Sequence, residues 1–165
     1  MKSKKVYLLL GTNLGNKTKN LKTAIENLKK QLGPIVKSSH MYVSPPWGVS
    51  EIQEDYYNIA ICLTTNKNPN QALERIQFIE KSMGRVRNKP NESRIIDIDI
   101  LLWESKIIQE KGLEVPHPRL QLRKFALQPL AEIAPEIIHP VYKLRIEELL
   151  SKCEDQSEAR RINEE

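Results

Sequence analysis

Ser93-Arg94-Ile95-Ile96-Asp97-Ile98-Asp99-Ile100-Leu101-Leu102-Trp103, SRIIDIDILLW, is apolar enough for a buried strand yet carries two aspartates at alternate positions. Successive strand side chains leave on opposite faces, so Ile96, Ile98 and Ile100 share one face and Asp97 and Asp99 the other. Aspartate is depleted in strands, and Thr or Lys suits a merely wet face better. Two carboxylates about 6 Å apart repel by roughly 3 kcal/mol at an effective dielectric near 20. Something positive is expected to offset that. Mg²⁺ suits the pair, because it keeps several waters and shares its shell with phosphates. Paired metals about 3.5–4 Å apart would serve an in-line displacement at phosphorus. The plain alternative is a polar outer face with screened charges.

Just ahead of this strand stand Arg85, Arg87 and Arg94, whose planar forks bind phosphate oxygens two at a time. Alone they would read as solvated loop charge; beside an acidic pair they suggest a polyphosphate. The net charge of +5 also favours anionic partners. GTNLGNKT (Gly11 to Thr18) imitates a P-loop, but three residues separate its glycines and Asn16 intervenes before Lys17. A tight strand-to-helix turn is expected there instead, with Thr18 or Asn20 as the cap.

With 165 residues and 39% hydrophobic content, the chain is expected to form one domain over residues 1–165 around one core. Its apolar runs are too short to span a bilayer, and MKSKKVYLLLGTN lacks a secretory core and cleavage site. Cys62 and Cys153 stand in no metal-like spacing, so a reducing cytoplasm is expected.

The order of elements follows from periodicity and breakers. Val6 to Leu10 reads as a strand, and a helix follows with Leu21, Ala24, Ile25, Leu28 and Leu32 on one face, stopped by Gly33-Pro34. Ile35 to Val43 reads as the second strand, Ser44-Pro45-Pro46-Trp47-Gly48 as an extended loop, and Tyr57 to Thr65 as the third strand. A helix from Pro69 buries Ala72, Leu73, Ile76, Ile79 and Met83, and SRIIDIDILLW is the fourth strand. Further helices are expected over Lys124 to Ile133 and around Leu144, Ile146, Leu149 and Leu150, before a charged tail from Glu154 that frays. Strand–helix–strand–strand–helix–strand is the split βαβ, ferredoxin-like order. The fold class is therefore α+β, an antiparallel sheet with helices packed on one face.

An acceptor pocket is expected near QEDYYN (Gln53 to Asn58), where Tyr56 and Asn58 offer a flat ring and a two-faced amide to a hydrogen-bonding heterocycle. Packing and turn chemistry is the alternative. Glu114 to Leu130 adds His117, held between two prolines, together with Arg119, Arg123 and Phe125.

The blocks LLLGTNLGN, SPPWG, QEDYYN, GRVR, RIIDIDILLW and VPHPRLQLRKFALQPLAEIAPE, in register over residues 6 to about 140, resemble the 6-hydroxymethyl-7,8-dihydropterin pyrophosphokinases. The RIIDIDIL and VPHPRLQLRKF blocks carry most of the resemblance. That family is ferredoxin-like and moves pyrophosphate from ATP to a pterin alcohol in folate synthesis. The resemblance implies that Asp97 and Asp99 hold two Mg²⁺ ions on the ATP phosphates, with Glu80 near the metal site. It makes Arg85 and Arg94 transition-state residues, and Gln77, Arg87, Ile100, Leu113, His117 and Arg123 the ATP contacts. It has the pterin stack between Tyr56 and Phe125, its edge read by Asn58 and by Ser44, Pro45, Pro46 and Trp47. The general base stays open between Asp99 and none.

One departure stands out. The family has Trp-Gly-Pro before the second arginine, where this chain has Asn91-Glu92-Ser93, one residue shorter; Trp47 also replaces a smaller apolar residue. A monomer with ATP and the pterin alcohol as partners, and neither membrane nor nucleic acid, is expected. The rivals are a ferredoxin-like RNA-binding module, which would need an aromatic-rich third strand that ICLTT does not supply, and a metal-dependent nuclease.

Overall fold

A computed structural model describes residues 2–46, 53–85 and 94–162. In chain order the elements are β1 (Lys4–Thr12), α1 (Lys17–Gln31), β2 (Ile35–Ser38), β3 (Tyr42–Ser44), β4 (Tyr56–Thr65), α2 (Pro69–Ser82), β5 (Asp97–Trp103), β6 (Ile108–Glu110), β7 (Leu113–Val115), a 3₁₀ turn (Leu120–Leu122), α3 (Lys124–Ile133), α4 (Ile146–Lys152) and β8 (Arg160–Arg161). Among the described residues the main sheet runs β5-β1-β4-β3-β8, with β2 also on β4, and every pairing given for it is antiparallel. This is the α+β, ferredoxin-like arrangement expected from the element order. Two strand boundaries shift: β4 begins at Tyr56, and the expected second strand is two.

That split has a local cause. The Ser39 amide donates to Ala60 O at 2.8 Å, and the Ala60 amide donates to Ser39 Oγ at 2.9 Å. A side-chain hydroxyl thus replaces one carbonyl of the ladder, and β2 and β3 part around it.

Helix ends follow short-range chemistry. The Asn16 side chain, rather than Thr18 or Asn20, caps α1 by accepting from the Lys19 amide at 3.1 Å. Asn68 and Gln71 form a reciprocal capping box on α2, with Pro69 in its first turn. At Gly33 a Cβ would lie 2.1 Å from Thr64 O, so only glycine lets the chain leave α1 against β4.

The sheet is covered on both faces, not on one as expected. Val6, Leu8, Leu10, Ile61, Leu63, Ile98 and Ile100 pack with Leu21, Leu28, Ile76 and Ile79 of α1 and α2. On the other face Tyr7, Leu9, Ala60, Cys62 and Leu101 pack with Leu127, Leu130, Ile146 and Leu149 of α3 and α4. Each fully buried Leu or Ile is worth about 1.5–3 kcal/mol relative to exposure. From Val6 onward every residue of β1 is buried, as a strand covered on both faces requires.

The tail does not simply fray. Arg161 and Arg160 pair with Tyr42 and Val43, and the Ile162 amide donates to Met41 O at 2.7 Å. No helix among the described residues is long and apolar enough to cross a membrane.

Candidate active site

Sheet register assembles the site. β5 lies at one edge of the sheet, with Asp97 opposite Gly11 and Asp99 opposite Leu9 on β1. Asn58 on β4 lies opposite Gly11 on the other side. A cleft opens here, lined by Leu9, Gly11, Ser44, Pro45, Tyr56, Asn58, Arg94, Asp97, Asp99, Arg123 and Phe125. It brings together both aspartates and all the described residues expected at the pterin except Pro46, which is half-buried beside Pro45. Trp47 lies outside the described residues, as do Arg87 and Asn91-Glu92-Ser93.

Gly11 is the floor. A Cβ there would sit 2.9 Å from Asn58 Oδ1, closer than side chains tolerate, and in contact with Tyr56 Cδ1 at 3.4 Å, so the glycine keeps the slot open. Asn58 is buried, and its Nδ2 donates to Ser44 Oγ at 2.8 Å. Burial raises the pKa of the Tyr56 hydroxyl above its ordinary value.

Asp97 is already neutralised by the protein itself. Arg85 Nη1 reaches Asp97 Oδ1 at 3.0 Å, and Arg94 Nη1 donates to Asp97 Oδ2 at 3.2 Å. Arg85 also pairs with Glu80, whose carboxylate accepts from the Ile98 amide at 2.9 Å. Glu80 is 3% exposed, and the Arg85 side chain 4%. Arginines therefore supply part of the offset for the acidic pair. The cleft holds about 70 Å³, room for a few waters.

Asp99 differs from Asp97. Burial first, then the charge of Asp97, pushes its carboxyl well above the ordinary range, while Arg123 pulls it back. Burial and nearby positive charge lower the affinity of His117 for a proton to a pKa of about 4, so its ring is neutral. His117 Nδ1 accepts from the Arg119 amide at 3.1 Å, which leaves Nε2 carrying the hydrogen as a donor.

A second cleft of about 300 Å³ lies between α2, β5 and β7, lined by residues that include Gln77, Glu80, Ile100, Leu113 and His117. All the described residues expected at the nucleotide border it except Arg123, which lines the first cleft. Asp99 borders both. Two clefts meeting at an acidic pair, with arginines alongside, can hold two substrates with a charged group between them.

Sequence reasoning missed Asn13. It is fully buried, its Oδ1 accepts from the Arg94 amide at 2.8 Å, and its own amide donates to Arg94 O at 3.1 Å. Its Nδ2 donates to Gln53 Oε1 at 3.2 Å and Glu54 O at 3.1 Å. One side chain thus ties Arg94 to the segment leading into Tyr56. Only the Gly-Thr-Asn turn signal was visible in the sequence.

Residues 7–135 match the model of a family described as 7,8-dihydro-6-hydroxymethylpterin-pyrophosphokinase (HPPK). A folic acid synthesis protein, FOL1, of Dictyostelium discoideum is 43% identical over 135 residues, 82% of this chain and 20% of that protein. The 2-amino-4-hydroxy-6-hydroxymethyldihydropteridine pyrophosphokinase of Aquifex aeolicus is 41% identical over 143 residues, 87% of this chain and 88% of its own length. The crystal structure of wild-type Plasmodium falciparum HPPK-DHPS with pterin and p-hydroxybenzoate superposes with a TM-score of 0.74 at 21% identity, over 92% of this chain and 43% of that one. At that identity the likeness speaks to the fold. The chain spans about a fifth of the Dictyostelium relative's length.

Proposed function

The chain belongs to the 7,8-dihydro-6-hydroxymethylpterin-pyrophosphokinase family, and we propose that it transfers diphosphate from ATP to the hydroxymethyl group of 6-hydroxymethyl-7,8-dihydropterin, giving AMP and the pterin diphosphate for folate synthesis. The observation that carries this reading is Asp99 at the junction of two clefts, one built for a flat heterocycle and one beside Gln77, Leu113 and His117. Neither a nuclease nor an RNA-binding sheet has use for a second small-molecule cleft at its carboxylates.

The carboxylate pair fits a metal shared with substrate. Among the described residues no group of three His, Cys, Asp or Glu side chains is arranged to hold an ion alone. Two carboxylates leave most of an octahedral shell to water and phosphate, as Mg²⁺ prefers. Asp97 and Asp99 would hold the Mg²⁺, which would supply positive charge to neutralise the phosphates; we assign two ions, as the resemblance to the family implies.

The remaining work falls to the chain's own side chains. Tyr56 and Phe125 stack on the pterin ring, Asn58 reads its edge, and Gly11 leaves the space. Arg94 exchanges Asp97 for a phosphate oxygen. Arg85, held by Glu80, contributes fixed positive charge beside Asp97. His117 Nε2–H and Gln77 donate to the nucleotide, Ile100 and Leu113 flank the adenine, and Arg123 supplies charge next to Asp99. The hydroxymethyl oxygen then attacks the β-phosphorus and AMP leaves. Holding the two reactants in line and neutralising charge supplies most of the rate.

The test is to mix the protein with Mg²⁺, ATP and the pterin alcohol. AMP and pterin diphosphate are expected in equal amounts; ADP, nucleotide fragments or no product would contradict the reading. Tyr56→Ala removes one stacking wall and is expected to weaken pterin binding about tenfold while leaving ATP binding in place. A fluorescence titration of the pterin measures the first effect, and unchanged pterin affinity would take Tyr56 out of the pocket.

A further inference from the structure

We propose that Asp155 and the β8 strap that follows it are positioning elements for the heterocycle slot, holding its two walls at a fixed separation. This rests on the pterin pocket proposed above.

One wall is the start of α3. Arg123, which lines the slot, is the N-cap of that helix and makes no side-chain cap bond. The cap comes from 31 residues away: Asp155 Oδ2 accepts from the Lys124 amide at 3.1 Å. Asp155 is itself held, its Oδ1 accepting from the Ser157 amide at 2.9 Å and from the Ser157 hydroxyl. A carboxylate at the first turn satisfies an orphan amide and opposes the helix dipole. It thereby fixes the turn between Arg123 and Phe125.

The other wall is β3 with the start of β4. Ser44 lies opposite Tyr56, and Tyr42 opposite Asn58. β3 is only three residues long, and β8 pairs with its outer side at Tyr42 and Val43. The Ile162 amide continues the ladder to Met41 O at 2.7 Å, and the Ile162 side chain packs on the main core. Glu132 of α3 adds a cross-tie, accepting from the Tyr42 hydroxyl at 2.7 Å and lying 2.9 Å from His40 Nδ1. Arg161 Nη2 reaches His40 Nε2 at 2.7 Å. Residues 155 to 162 therefore grip both sides of the slot and line neither cleft.

The experiment measures pterin and nucleotide affinity separately in three full-length variants. Asp155→Ala loses the cap acceptor; Ile162→Pro loses the amide bonded to Met41; Asp155→Asn keeps one acceptor oxygen. Asp155→Ala and Ile162→Pro are each expected to raise the pterin dissociation constant and KM about fivefold, the affinity equivalent of one hydrogen bond. Ile162→Pro should leave nucleotide affinity and kcat within about twofold, a split that general loosening would not give, and Asp155→Asn, with one acceptor oxygen for two amides, should fall between the parent and Asp155→Ala. Should Ile162→Pro fail to fold, Asp155→Ala with its Asn counterpart decides alone. Unchanged pterin affinity, or equal losses for both ligands in Ile162→Pro, overturns the strap. A parent protein that binds no pterin overturns the proposed function as well, which separates the two failures.

Discussion

Replacing Asp97 with alanine is expected to lower pterin-dependent AMP formation by about a thousandfold, with the pterin dissociation constant within about threefold of the parent. Asp97 is the carboxylate to which Arg85 and Arg94 both bind, through different oxygens. Its removal deletes half of the proposed metal site and the anchor that keeps both guanidiniums facing the reacting phosphates. One charge–charge interaction at about 4 Å is worth roughly 4 kcal/mol at an effective dielectric near 20. Each 1.36 kcal/mol is tenfold in rate, so one such interaction spans about three decades. The heterocycle's proposed contacts, Tyr56, Asn58 and Phe125, make no hydrogen bond to Asp97, which is why binding and turnover should separate. Single-turnover kinetics with a fluorescence titration measure both; preserved turnover would remove Asp97 from the chemistry.

Asp99→Asn is expected to abolish turnover and, without Mg²⁺ or nucleotide, to stabilise the fold. The Asp99 carboxyl is pushed by burial and by Asp97 from an ordinary 3.8 up to about 7 in the folded protein. Between those two values the folded chain keeps a proton that the unfolded chain has released. Stability therefore falls as pH rises from about 4 to about 7, and the cost is complete above that. Asparagine cannot ionise and escapes the cost. At pH 8 the variant is expected to melt on the order of 5 °C above the parent, a difference that vanishes below about pH 4. Mg²⁺ with ATP should reverse the order, since the parent alone can use the second carboxylate. Thermal melts at both pH values, with and without the ligands, check this; a variant melting at or below the parent at pH 8 would contradict it. A group that costs stability in the empty protein and repays it on binding is what a functional site leaves behind.

Much of this arrangement was legible in the chain. Alternation in IIDIDI alone placed Asp97 and Asp99 on one face of a strand, and Pro69 with Gly84 bracketed α2 closely. The two-sided cover of the sheet was also written there, in the unbroken burial-prone run VYLLLGT, which no half-exposed strand would carry. Other features depend on partners far along the chain. The break at Ser39 needs Ala60 opposite it, and the charged Arg160-Arg161 tail becomes a strand only because β3 offers an edge. Asn13 looks like any turn asparagine until Arg94, 81 residues away, meets it. Positive charge beside the acidic pair was foreseen, but not that Arg85 and Arg94, expected at phosphate, would themselves bind Asp97.

The central claim is that these acids and arginines exist to receive a metal-bound polyphosphate. Isothermal calorimetry of ATP into the protein, with and without Mg²⁺, tests it most directly. The account predicts binding with Mg²⁺ that weakens at least about tenfold when the metal is chelated, or when Asp97 is replaced by alanine. Nucleotide binding indifferent to Mg²⁺ and to Asp97 would contradict it.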